Sequence, residues 1–166
     1  MAYLGKEHRV KLVIIGGDGN GEYLERLKRK ARELQIEDLV SFMGMVRQEE
    51  LPDYYSAVDI SVIPSYYESF GLVTLESLAC GTPVVATAVG GAESVIRQGE
   101  TGYVVKSGTP RHLARGIEQL LFKSKFGAES VNSIRASVAG FDWSKVAEAM
   151  VKEYSDMVEN RSTRRR

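Results

Sequence analysis

The fold class this sequence predicts is α/β, a parallel sheet with helices on both faces, and three observations predict it. Short apolar runs at residues 10–15, 40–43, 59–63 and 84–87 alternate with segments of helical periodicity, the pattern of repeated strand–helix–strand units. The loops after Ile15, Met43, Ile63 and Thr87 would all open beyond the C-terminal ends of the strands, where such sheets bind ligands. Hydrophobic residues make up 43% of the 166, enough for one packed domain and against wholesale disorder.

Each element has its own warrant. Residues 10–15 read as a strand buried on both faces. The loop Gly16-Gly17-Asp18-Gly19-Asn20-Gly21 does not satisfy G-x-G-x-x-G, so it is either a flexible turn or a close backbone approach to a ligand. Leu24, Leu27, Ala31 and Leu34 follow helical spacing, with Lys and Arg on a solvated face between them. A short strand at 40–43 ends at Gly44, and 48–58 reads as a helix with Pro52 near its first turn, where proline is tolerated. Residues 59–63 form the third strand, and Pro64 ends it by holding Ile63 extended.

The next helix runs from Gly71 to about Ala79 and should bury Leu72, Leu75, Leu78 and Ala79, with Gly81 as the left-handed residue after it. Strand four at 84–87 leads into a small-residue loop at 88–91, and 102–105 is a last short strand. Helices follow at 111–122 and 128–138. The final helix starts at a cap, Asp142, and repeats Trp143, Val146, Ala147, Met150, Val151, Tyr154, Met157 and Val158 along one face. The stripe is long for a small sheet face, and an ordinary core helix is the plainest reading of most of its positions. Residues 1–160 thus form one domain, and 161–166 a disordered basic tail.

Charge and composition exclude several function classes. Lys+Arg and Asp+Glu both count 22, so nothing favours nucleic acid or another polyanion as partner. No apolar run reaches the ~18 residues of a membrane span, and the first residues are too polar for a signal peptide. One cysteine permits no internal disulfide and suits a reducing, cytoplasmic setting. Cys80, at a helix end without a neighbouring histidine, reads as a small buried hydrophobe rather than a nucleophile. His8 and His112 show no metal-ligand spacing.

The chemistry concentrates in residues 64–91, PSYYESFGLVTLESLACGTPVVATAVGG. Glu68 and Glu76 stand on a loop that turns into a helix, so both can be aimed at one small volume. Gly71, Leu72 and Val73 lie where the helix begins, and their amides have no carbonyl in a preceding turn. Such a helix start is a ready anion site. Carboxylates there would repel a bare phosphate and more naturally hold hydroxyls. A ligand with phosphate in the middle and polyhydroxylated groups at each end meets both demands, and a nucleotide sugar has that shape.

The run Glu68-Ser69-Phe70-Gly71-Leu72-Val73-Thr74-Leu75-Glu76, with Ala79-Cys80-Gly81-Thr82-Pro83-Val84-Val85-Ala86 after it, resembles the Glu-x7-Glu signature of retaining GT-B glycosyltransferases of family four. The resemblance extends to Gly90-Gly91 with Glu93 and to Gly16-Gly17-Asp18-Gly19. It is to the C-terminal, donor-binding half of such enzymes, a Rossmann-like domain. It implies that Glu68 faces the transferred sugar and that Glu76 accepts hydrogen bonds from the ribose. Backbone amides of Ser69, Phe70, Gly71, Leu72 and Val73 would meet sugar or diphosphate. Gly16 and Gly17 would lie by the donor, and Met45, Val46 and Arg47 by the base, although Arg47 also reads as an ordinary surface charge. Glu93 reads as a loop-stabilising residue.

No metal or other cofactor is implied, because GT-B enzymes support the leaving diphosphate with positive charge and helix dipoles. The run from Ser65 to Gly71 is similar to sucrose-phosphate-synthase-like and inositol-phosphate-transferase-like members, which favours a UDP-sugar and hexosyl transfer, with GDP-mannose users close by. Relatives also carry a first strand followed by an Arg and a Lys that contact the diphosphate. Here that strand, both basic residues and the whole N-terminal acceptor domain are missing, and with that domain any peripheral membrane contact it makes. The chain alone would then bind donor weakly and transfer nothing. A degenerate binding or assembly module, docking a partner on its long last helix, is one alternative. A nucleotide-sugar epimerase of the same fold is another.

Overall fold

A computed structural model describes residues 3–4, 10–17, 21–121 and 128–163. Strand β1 (Leu12–Ile15) pairs in parallel with β2 (Val40–Gly44) across helix α1 (Glu22–Glu33). Strands β3 (Ser61–Ile63), β4 (Val84–Thr87) and β5 (Gly102–Val105) form a second parallel sheet with β4 in the middle. All pairing is parallel, as the alternation predicts. Among the described residues, however, β1 and β3 are not paired, so the sheet is in two pieces and each of these strands keeps one open edge.

The three-stranded piece carries the core. Val84 and Ala86 project to one face, where Leu78 of α3 (Leu72–Ala79), Val95 of α4 (Ala92–Val95), and Ile134 and Val138 from α6 (Ala128–Ser137) and just beyond it pack on them. Val85 projects to the other face, against α5 (Pro110–Leu121). Gly116 permits that contact, since a methyl group there would come within 2.9 Å of Val85 Cγ1. Both faces are therefore covered, and β4 is buried along its whole length. Each fully buried Leu or Val contributes roughly 1.5–3 kcal/mol to that core.

Several expectations need correction. β1 is not buried on both faces: burial alternates along it, and Val13 and Ile15 are exposed, because one face of the two-stranded piece is open. The buried stripe of α3 is Thr74, Ser77 and Leu78, whereas Leu72 and Ala79 are exposed and Leu75 only packs at the core's edge. Apolar spacing missed this because a hydroxyl satisfied by hydrogen bonds can occupy the sheet-facing position. The segment expected as one helix at 48–58 is a 3-10 turn, Gln48–Glu50, followed by α2 (Leu51–Ala57). Helix α4 was not anticipated.

Gly81 does terminate α3: its φ is +86°, its amide donates to the Leu78 carbonyl at 2.9 Å, and the Thr82 amide donates to Ser77 at 3.0 Å.

The last helix, α7 (Trp143–Thr163), is capped as predicted, with the Ser144 amide donating to Asp142 Oδ1 at 2.9 Å. It is not a core helix. Its apolar stripe is open among the described residues, with Trp143 77%, Met150 51% and Tyr154 61% exposed. Residues Arg161, Ser162 and Thr163, expected in the tail, continue the helix, and 164–166 lie outside the described residues, as do His8, Asp18, Gly19 and Phe122.

Candidate functional site

The Glu68 loop leaves β3 and is held from two sides. At the end of β4, the Thr87 hydroxyl donates to the Ser65 carbonyl at 2.5 Å, which fixes the strand exit. The loop after β4 then closes on the Glu68 segment. A methyl group on Gly90, whose φ is +57°, would lie 2.9 Å from the Glu68 carbonyl oxygen and 3.2 Å from its Cβ. One on Gly91 would lie 2.8 Å from the Phe70 carbonyl, to which the Gly91 amide donates at 3.1 Å. The paired glycines thus serve close backbone packing of the Glu68 loop.

Glu68 itself is half-buried, and its Oε1 accepts from the Ser69 amide at 3.1 Å. Phe70 stacks obliquely on Phe141 at 6.3 Å, while Tyr66 and Tyr67 stand almost fully exposed, at 94% and 85%.

Gly71 adopts a left-handed conformation, φ +85°, and starts α3 without a side-chain cap. The Thr74 amide reaches back to Gly71, so the amides of Leu72 and Val73 are the ones left at the positive end of the helix dipole. Glu76 follows in the second turn, half-buried, and its Oε2 accepts from the Tyr55 hydroxyl of α2 at 3.1 Å. Burial, and then the Glu76 charge, push the Tyr55 phenol far above its ordinary value, so it stays protonated and donates at any physiological pH.

Glu68, Ser69, Phe70, Gly71, Leu72, Val73 and Glu76 lie on one loop-to-helix unit. Gly16, Gly17, Met45 and Arg47 gather elsewhere, at the ends of β1 and β2, where the Gly16 amide donates to the Gly44 carbonyl at 2.7 Å. Gly16 and Gly17 have open space beside them and Met45 is exposed. Arg47 is paired with Glu50 at 2.6 Å and Glu49 at 3.2 Å, which lowers the Glu50 carboxyl below its usual range and occupies the guanidinium locally.

Sequence reasoning missed Tyr55, Thr82 and Thr87. Each acts from another element, 21 or more residues from its partner, and nothing in local periodicity marks it.

The other residues weighed for chemistry lie outside the Glu68–Glu76 run. Glu93 is exposed, and its side chain makes no hydrogen bond among the described residues. Cys80 is half-buried rather than buried, and its carbonyl accepts from Arg135. His112 is bonded to the Thr109 hydroxyl at 2.6 Å at the start of α5. Among the described residues, no three His, Cys, Asp or Glu side chains cluster as metal ligands would, and no helix is long and apolar enough to cross a membrane.

Comparison with known proteins agrees with this fold. The family model described as glycosyl transferases group 1 matches residues 1–136. The D-inositol 3-phosphate glycosyltransferase 2 of Catenulispora acidiphila is 41% identical over 158 residues, covering 93% of this chain and 37% of the relative, so the chain spans little more than a third of that protein. HepE of Anabaena, solved in complex with UDP, superposes with a TM-score of 0.81 at 26% identity, over 93% of this chain and 43% of that one. The C-terminal domain of the group 1 glycosyl transferase LpcC from Francisella tularensis shares the fold, with a TM-score of 0.65 at 19% identity over 82% of this chain and 94% of that domain. Motif, fold and coverage agree, and the chain belongs to the group 1 glycosyltransferases, in which it corresponds to the C-terminal domain.

Proposed function

We propose that this domain binds the donor of a retaining hexosyl transfer, a UDP-sugar, with the diphosphate at the start of α3 and a carboxylate on either side of it. The observation that carries this reading is the uncapped start of α3 at Gly71, with Glu68 on the loop before it and Glu76 in the second turn after it. The amides of Leu72 and Val73 meet the phosphate charge. Glu76 accepts from the ribose hydroxyls, and Glu68 accepts from hydroxyls of the sugar that is transferred, holding it for attack. UDP in the HepE complex favours uridine as the base. Gly16, Gly17, Met45 and Arg47 belong to the other sheet piece and would close on the donor from there. No metal is assigned a role.

Turnover needs the acceptor side of the cleft, which we assign to a further domain or partner chain. The open stripe on α7 suits a surface of the same protein outside this domain, and favours that assignment over a free-standing module.

Titration of the chain with UDP, GDP and their sugars, followed by NMR or calorimetry, tests the proposal. Saturable binding of the uridine ligands, weakened by Glu76→Ala, is expected, with weak affinity. A well-folded sample that shows no preference among these ligands, or no loss on substitution, would refute it.

A further inference from the structure

The side-chain network behind α3 assigns a role to a residue outside the signature. We propose that Tyr55 is a positioning residue for Glu76: its hydroxyl holds Oε2 and thereby presents Oε1 to the ligand. This rests on the reading of Glu76 as a donor-binding carboxylate.

The network is closed on itself. Tyr55 donates to Glu76 Oε2 at 3.1 Å. The next residue, Ser77, is fully buried, and its hydroxyl donates to the Thr82 carbonyl at 3.1 Å while pairing with the Ser61 hydroxyl of β3 at 2.8 Å. Thr82, also buried, donates its own hydroxyl back to the Tyr55 carbonyl at 2.5 Å. From Glu76 through Ser77, Thr82 and Tyr55 the chain of contacts returns to Glu76, and Ser61 anchors it to the sheet. Helix α2, helix α3 and the turn into β4 are tied together by it, which fixes the backbone that carries the phenol.

An ionised carboxylate has about four acceptor positions on its two oxygens. The phenol takes one and leaves Oε1, and a free side chain of this length would otherwise spread over several rotamers. The half-buried ring also shields the Tyr55–Glu76 contact from water, which strengthens it.

The test compares wild type, Tyr55→Phe, Glu76→Gln and the double variant. Two readouts are used: affinity for UDP and for 2′,3′-dideoxy-UDP, and ligand-free NMR order of the Glu76 side chain. Tyr55→Phe keeps the ring and deletes one hydroxyl. Expected are about a tenfold weaker affinity for UDP, little change for the dideoxy ligand, no further loss in the Glu76→Gln background, and lower order at Glu76 but not at Glu93.

Equal weakening of both ligands by Tyr55→Phe marks a merely structural role and overturns the proposal. So does an unchanged UDP affinity where Glu76→Gln does weaken it, and in that case the reading of Glu76 survives. A Glu76→Gln variant with full UDP affinity removes both. Should UDP affinity lie below detection, unchanged order at Glu76 is sufficient to reject the positioning role.

Discussion

The sharpest stability prediction concerns Gly90, because its role joins backbone strain to the placement of Glu68. With φ at +57°, an alanine there pays the left-handed penalty of about 1–2 kcal/mol. Its methyl group also meets the Glu68 carbonyl oxygen at 2.9 Å and the Glu68 Cβ and Cγ at 3.2 Å, all closer than ordinary contact. Backbone cannot rotate away as a flexible side-chain end does, so the overpacking cost of about 1–3 kcal/mol applies in addition. Gly90→Ala should therefore lose about 2–5 kcal/mol.

Gly71→Ala supplies the comparison. Its φ is +85°, but a methyl group there would touch Glu68 Cγ and Thr74 Oγ1 at 3.5 Å, which is ordinary contact, so only the backbone cost of about 1–2 kcal/mol remains. Urea denaturation of the two variants measures the difference. The Gly90 substitution should also weaken UDP-glucose more than UDP, because the displaced segment carries Glu68, the carboxylate proposed to hold the sugar. Equal midpoints for the two variants, with unaltered sugar affinity, would refute the packing argument.

Two further outcomes follow from buried and capping groups. Ser77→Ala should lower stability by about 1–3 kcal/mol by urea denaturation, since the Ser61 hydroxyl and the Thr82 carbonyl lose their shared partner inside the fold. Asp142 is held below the ordinary aspartate range by its bonds to Ser144, first from the hydroxyl and then from the amide. A depressed folded-state value means that its contribution is complete above the unfolded value and is lost as pH falls through the folded one. Circular dichroism should accordingly show the start of α7 fraying in acid below the usual carboxylate range, and Asp142→Asn should remove that step.

The order of strands and helices was legible because apolar runs and helical periodicity are local signals, and so was the loop-to-helix unit from Glu68 to Glu76, whose residues are contiguous. What stayed hidden acts across the sheet. Thr74 and Ser77 bury hydroxyls where periodicity expects methyl groups, and only the partners of Ser77, on β3 and in the next turn, make that burial affordable. Tyr55 looks like any helix aromatic until the fold sets it against Glu76. Gly90 and Gly91 were visible as a motif, but their reason, the backbone of the Glu68 loop pressed against them, is a tertiary fact.

The α7 stripe fails in the opposite sense. Its spacing was read correctly as an apolar face, while periodicity carries no information on whether the surface that covers it lies within the domain.

The open edges argue the same way. Among the described residues β1 and β3 each end at an edge that no strand fills. The Glu68–Glu76 unit hangs from β3 and α3, whereas Gly16, Gly17 and Met45 hang from β1 and β2. A ligand touching both groups must therefore fix the distance between two sheet pieces that share no ladder, and the free energy of ordering them is subtracted from its affinity. A strand lying between β1 and β3 would remove that cost before the ligand arrives. A strand supplied in that place as a segment without Arg or Lys should tighten donor binding, and the gain measures how much of the site's quality lies in preorganisation rather than in direct contacts to the phosphates.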